Sequence, residues 1–228
     1  MPGLTAEEIL GVWEHGEGRP QWQRALLLAA QAARPLGVQA VARLGLGERD
    51  RLILALREET FGGEIRAASR CPACGERVEC SVRAAELGAD LASPPRTNEP
   101  REWIWGWFRL PDTEDIAAVS ASATPDLDLL HRCAEGAPDE ALAAWEAHLE
   151  TEDPLADLVL RLECGSCRHC WEAPFDAATL VWGELRAAAT RILRDVHTLA
   201  SRYGWSEEDV LRMSARRRRM YVDLEGAG

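Results

Sequence analysis

Lysine is missing altogether: all 26 basic residues are arginine, set against 38 acidic ones, for a net charge of −12 in 228 residues. Alongside the abundant alanine, that absence looks like a GC-rich coding bias rather than a chemical requirement. The shortage of positive charge counts against nucleic acid as a partner, because phosphate backbones repel an acidic chain unless a local basic patch overrides the average. No stretch approaches the roughly 18 to 20 uncharged apolar residues of a membrane span. The first residues, Met1–Glu8, are acidic and lack the basic-then-apolar order of a secretory leader. A cytoplasmic protein with no membrane partner is therefore expected. An even cysteine count is also lacking. Seven thiols without a leader argue against a disulfide framework. Phenylalanine and tyrosine are scarce, three and two, whereas tryptophan reaches nine, and each indole brings a large buried area with an N–H that needs a partner.

The length fits one domain, or one domain plus a small module. A capping box (Thr5 with Glu8) and the apolar Ile9, Leu10 and Trp13 predict a helix over 5–15. Further helices are expected over 22–33, 36–44 and 49–60. Gly62 and Gly63 then switch the pattern to strands over 64–69 and 77–82, followed by a proline-bearing loop over 88–101. Residues 102–110 (EWIWGWFRL) read as one strand, with Trp103, Trp105 and Trp107 on one face and Ile104 and Phe108 on the other. Helical pieces fill 112–150, strands 158–163 and 171–175 follow, and a long helix runs over 177–202 with Gly204 as its cap. Ser206 and Asp209 open a short helix, and a last one spans 214–224. The expected fold is α+β, mainly α-helical, with a small zinc-ribbon-like β module assembled from two distant C-x-x-C hairpins. Its segments are an N-terminal helical one (1–60), a split β module (61–175) with a helical insertion at about 111–150, and a C-terminal helical one (176–228).

The sharpest chemical signal is the pair of turns CPACG and CGSC, which carry Cys71, Cys74, Cys164 and Cys167. A C-x-x-C turn presents two thiolates to one metal, and two such turns complete the tetrahedron of a structural Zn2+. The compact form of this motif joins its pairs by about 15 to 20 residues. Here 89 residues separate Cys74 from Cys164, so a long helical insertion would have to close the site. Cys80, Cys170 and His169 remain alternatives to individual ligands. Cys80 and Cys170 read more plainly as small strand residues, and Cys133 as a core residue of an amphipathic helix. A thiol oxidoreductase would place C-P-x-C where a strand meets a helix, and here a hairpin pattern follows instead. A papain-type nucleophile would need an aromatic residue where Arg168 stands and more chain beyond Cys167.

No Walker A loop, G-x-S-x-G or H-E-x-x-H is present, and Gly45 and Gly47 lack the third glycine of a dinucleotide fingerprint. The five histidines are scattered. Arg216, Arg217, Arg218 and Arg219 form the one basic run, and its plain reading is a solvated helix face. The tryptophan stripe reads first as core-facing. Trp103, Trp105, Trp107 and Arg216–Arg219 are nonetheless the candidate partner-binding residues, since tryptophan and arginine dominate interfaces. Three function classes stand: a zinc-stabilised binding protein, a zinc-ribbon nucleic-acid adaptor and a thiol oxidoreductase.

The C-terminal third has a recognisable order. After the second C-x-x-C come Trp171, Phe175 and Asp176, then LVWGEL (180–185), DVHTLA (195–200), YGWSE (203–207), and Arg217 and Arg218 before Tyr221. FRLPDTEDI (108–116) and LHRC (130–133) belong to the same pattern. This resembles the T4-like phage baseplate hub assembly chaperone family, found with contractile phage tails and phage-tail-like contractile injection systems. The resemblance covers residues 60–225 and is best over 160–221. It implies a non-enzymatic protein that helps a baseplate hub to assemble, with hub or baseplate proteins as partners. It carries over no individual binding residue, and YGWSE itself reads as a packing corner.

Overall fold

The structure, a computed structural model, describes residues 2–87 and 96–226. Helix α1 (Ala6–Gly16) begins at the expected capping box: Thr5 Oγ1 accepts from the Glu8 N–H at 3.2 Å, and Glu8 Oε2 accepts from the Thr5 N–H at 2.8 Å. Pro20 starts α2 (Gln21–Ala32), a short α3 (Val38–Ala42) follows, and α4 (Leu46–Phe61) begins three residues earlier than expected. Helix α4 is covered on nearly every side, burying Leu52, Ile53, Leu54, Ala55 and Leu56 in succession. The buried Arg57 guanidinium grips Glu184 with two bonds (2.9 and 3.0 Å) and also donates to the Gly62 and Glu64 carbonyls. A buried arginine of this kind is tolerated because its fork is paired.

Strands β1 (Glu64–Arg70) and β2 (Arg77–Arg83) form an antiparallel hairpin in which Ala67 faces Cys80. The proline-bearing loop expected over 88–101 lies, for residues 88–95, outside the described residues. Strands β3 (Arg101–Trp103) and β4 (Gly106–Phe108) make a second hairpin. Helices α5 (Thr113–Val119), α6 (Pro125–Cys133) and α7 (Leu142–Glu152) follow, and β5 (Leu158–Glu163) pairs with β6 (Cys170–Phe175) in a third hairpin. Helix α8 (Ala177–Tyr203) is about 40 Å long. Gly204 caps it in the left-handed region, and α9 (Glu207–Leu211) starts from a Ser206–Asp209 capping box before α10 (Ala215–Gly226). The fold is thus α+β and mainly helical, with small antiparallel sheets. Among the described residues, no helix is long and apolar enough to cross a membrane.

Three apolar clusters organise the chain. The largest gathers α1, α2, α4 and α8, with Val181, Trp182, Leu185, Ala189 and Ile192 of α8 against Leu10, Leu28, Ile53 and Leu56. The N-terminal and C-terminal helical segments therefore share one core. The second lies around Trp145 and holds Phe108, Leu130 and Cys133, with Trp103 packed against it. The third, Leu54, Ile65, Ala84, Phe175 and Ala177, sits at the base of the first and third hairpins. The insertion docks on the start of α4: Asp153 Oδ2 accepts from the Gly47 N–H at 2.9 Å, and the Leu46 N–H donates to the Pro111 carbonyl at 3.1 Å.

Candidate metal centre

The first and third hairpins lie side by side and bring their turns together. Each turn is a tight knuckle. In the first, the Cys71 N–H donates to the Glu76 carbonyl (2.9 Å) and the Gly75 N–H to the Cys71 carbonyl (2.8 Å). In the second, the Cys164 N–H donates to the His169 carbonyl and the Arg168 N–H to the Cys164 carbonyl, both at 2.9 Å. The residue after the second cysteine is left-handed in both, Gly75 at φ 75° and Arg168 at φ 62°. The two knuckles thus repeat one backbone conformation, with glycine at the strained position of only one.

The four thiols converge. Cys71, Cys74, Cys164 and Cys167 place their sulfur atoms within 4.8 Å of one another. The first cysteine of each knuckle faces the second of the other: Cys71 Sγ lies 3.6 Å from Cys167 Sγ, and Cys74 Sγ lies 3.6 Å from Cys164 Sγ. A tetrahedral ion with bonds of about 2.3 Å sets its ligands about 3.8 Å apart, so little adjustment would seat a metal. Cys71 and Cys164 are buried, while Cys74 and Cys167 border solvent. The Cys167 N–H, opposed by burial and helped by the Ser166 N–H, holds the Cys164 thiol down at about 7. The Glu76 N–H pulls Cys74 the same way, but the three facing thiols push it up to about 12. Four thiols this close cannot all ionise without a cation among them, and a divalent cation removes that conflict.

The alternatives fall away among the described residues. Cys80, Cys170 and His169 do not belong to the cluster. Cys80 stands on β2 opposite Ala67, Cys170 approaches the Arg168 carbonyl at 3.8 Å, and the His169 ring stacks on Trp171. Compared with protein-family models, curated proteins and solved structures, the chain matches none.

The other candidate residues are placed differently from expectation. The segment 102–110 is no single strand, because Trp103 pairs with Gly106 and the chain reverses at Ile104 and Trp105. The three tryptophans accordingly do not share a face. Trp103 stacks on His148 within the second core, Trp105 meets Trp103 edge-on at 4.8 Å, and Trp107 is 65% exposed. Ile104, expected beside the buried Phe108, is 76% exposed at the turn. The basic run is split as well. Arg216, Arg217 and Arg219 are exposed, whereas Arg218 is buried, donating to the Met213 carbonyl at 2.8 Å with Asp195 Oδ2 3.6 Å from its Nε. Helical periodicity puts consecutive residues on different faces, so a run of four cannot form one surface.

Sequence reasoning missed a second constellation. Asp115 is fully buried, and the Arg109 guanidinium holds it with two bonds, one of them 2.8 Å. Arg132 Nε donates to it at 3.0 Å, and the Cys133 thiol lies 3.6 Å away. Asp115 also closes a capping box with Asp112 at the start of α5. FRLPDTEDI and LHRC thus meet at one carboxylate. The Asp112-x-x-Asp115 spacing was the only sequence signal available.

Proposed function

We propose that the four thiols hold one structural Zn2+ and that the protein works by binding, as an assembly factor or minor component of the baseplate hub of a contractile tail or injection system, in the cytoplasm. The observation that carries the metal reading is the convergence of two knuckles from opposite sides of an 89-residue separation at near-tetrahedral spacing. Four thiolates leave no open coordination position, which suits a structural ion better than a catalytic one. The tail assignment rests on the motif resemblance. FRLPDTEDI, LHRC and YGWSE all lie at packing corners, which suits a binding scaffold rather than an enzyme. Elemental analysis should find one zinc per chain. Cys71→Ser or Cys164→Ser should lose metal and thermal stability together, because binding energy at a structural site is folding energy. Full occupancy in either variant would overturn the ligand set. A tagged copy should capture hub or baseplate proteins from the source cell, and its absence from the finished particle would mark an assembly chaperone. Capture of no tail protein would sink the tail assignment and leave the zinc reading standing.

A further inference from the structure

A groove of about 780 Å³ runs between the start of α1, the end of α4, the middle of α8 and the α9–α10 corner, and shares no residue with the thiol cluster. Ile9, Phe61, Ile192, Leu211 and Val222 give it an apolar floor. Five arginines also line it: Arg191 and Arg194 from α8, Arg212 beyond α9, and Arg218 and Arg219 from α10. Asp195 is the one carboxylate on the described lining, and it already lies 3.6 Å from Arg218. Arg212 is held by Glu208. Arg191, Arg194 and Arg219 are exposed and make no ion pair among the described residues. The buried Arg218 adds a guanidinium whose Nε has no hydrogen-bond partner.

Three of the five arginines thus have no carboxylate partner among the described residues, on a chain with a net charge of −12. Clustered like charges repel, and they become favourable only opposite anions. An apolar lining beside guanidinium groups of α8 and the α9–α10 corner fits an amphipathic helix, whose apolar stripe would cover Ile9, Phe61 and Ile192 while its carboxylates reach the guanidinium forks. Nucleic acid fits poorly. The floor offers a single aromatic ring, Phe61, and the overall acidity opposes a polyphosphate. We infer that this groove is a docking site for an acidic amphipathic helical segment of a partner protein. The inference rests on reading the chain as a binding protein, and it needs neither the tail assignment nor the zinc.

The test uses the full-length, metal-loaded protein and a fluorescein-labelled synthetic helix with leucines at i, i+3, i+4 and i+7 and glutamates on both flanks. Anisotropy should report binding that weakens about tenfold or more in the Arg191→Glu, Arg219→Glu double variant and falls as salt rises. Both side chains are exposed, so the variant should keep its metal content and helical circular dichroism. Those two readings on the same sample separate loss of the groove from loss of the fold. The proposal is overturned by three outcomes: no binding, equal binding of a Glu→Gln version of the peptide, or displacement by single-stranded DNA at comparable concentration. A pull-down without tail proteins would leave this result untouched, so the two readings fail separately.

Discussion

Asp115 shows how one buried charge can join segments that are distant in sequence. Burial alone would raise its carboxyl, but Arg109, the Asp112 N–H and Arg132 bring it down to about 2. Burial and the same carboxylate push the Cys133 thiol well up, so that thiol stays protonated and is able to donate. Because the folded carboxyl titrates below its unfolded value, its contribution is fully present above about pH 4 and is lost as pH falls through about 2, amounting to about 2 kcal/mol. Asp115→Asn should therefore lower the unfolding free energy measured by urea titration at neutral pH by about that amount, and the gap from the parent protein should close as unfolding is repeated down to about pH 2. The knuckles offer a second comparison at this scale. Arg168 sits left-handed where the other knuckle has Gly75, at a cost of about 1 kcal/mol for a residue with a Cβ. Its ion pair with Glu163 spans 2.8 Å but is exposed, 80% and 46%, and such pairs contribute little. Arg168→Gly should thus raise the melting temperature of the metal-loaded protein, or leave it unchanged, whereas Gly75→Arg should lower it by about 2–4 °C. Equal effects of the two changes would show that the knuckles are not conformational equivalents.

The parts of the fold legible in the sequence are those that local chemistry decides. The Thr5–Glu8 and Ser206–Asp209 boxes start α1 and α9, Gly204 ends α8, and the C-x-x-C turns sit in hairpins. What was illegible depends on partners far along the chain. Within EWIWGWF, alternation of side chains describes a strand equally well whether or not it folds back, and Gly106 alone hints at a reversal with no Asn-Gly or Asp-Gly to mark it. The contact between α1 and α8 was likewise hidden. Gly16, the last residue of α1, lies against the Trp182 ring, and a Cβ placed there would stand 2.3 Å from Cη2. Trp182 is 6% exposed and tightly surrounded, so the ring has little room to yield. Gly16→Ala should cost about 1–3 kcal/mol through overpacking. Trp182→Leu should cost stability alone yet reduce the penalty of the glycine change when combined, since residues in contact couple. Strict additivity in urea unfolding would refute the contact.

At the scale of the whole molecule, the metal cluster and the main core are separable. The large cluster takes nearly all its buried side chains from helices and contains no cysteine. The knuckles stand at the far ends of two-stranded hairpins, whose bases rest on a small cluster that includes Ile65 and Phe175. Hairpins of two strands are marginal in water without further support. The sequence placed the four thiols in one set, yet it held no sign that the first and last helices would close around α4 and leave the ribbon at the periphery, because that depends on which apolar faces meet. A bound ion would join the two knuckles and close the loop of 89 intervening residues, restricting the unfolded chain as a crosslink does. Removing zinc with a chelator at neutral pH should therefore loosen the ribbon before the helices. Proteolysis should cut within 71–77 and 164–170, while most of the far-ultraviolet helical signal survives and the melting transition moves down. Loss of all helicity in one step would mean that the metal holds the entire molecule together, against the separation of its clusters. Unchanged cleavage and melting after verified zinc removal would leave the ion no structural role, and the paired knuckles would then stand on the hairpin bases alone.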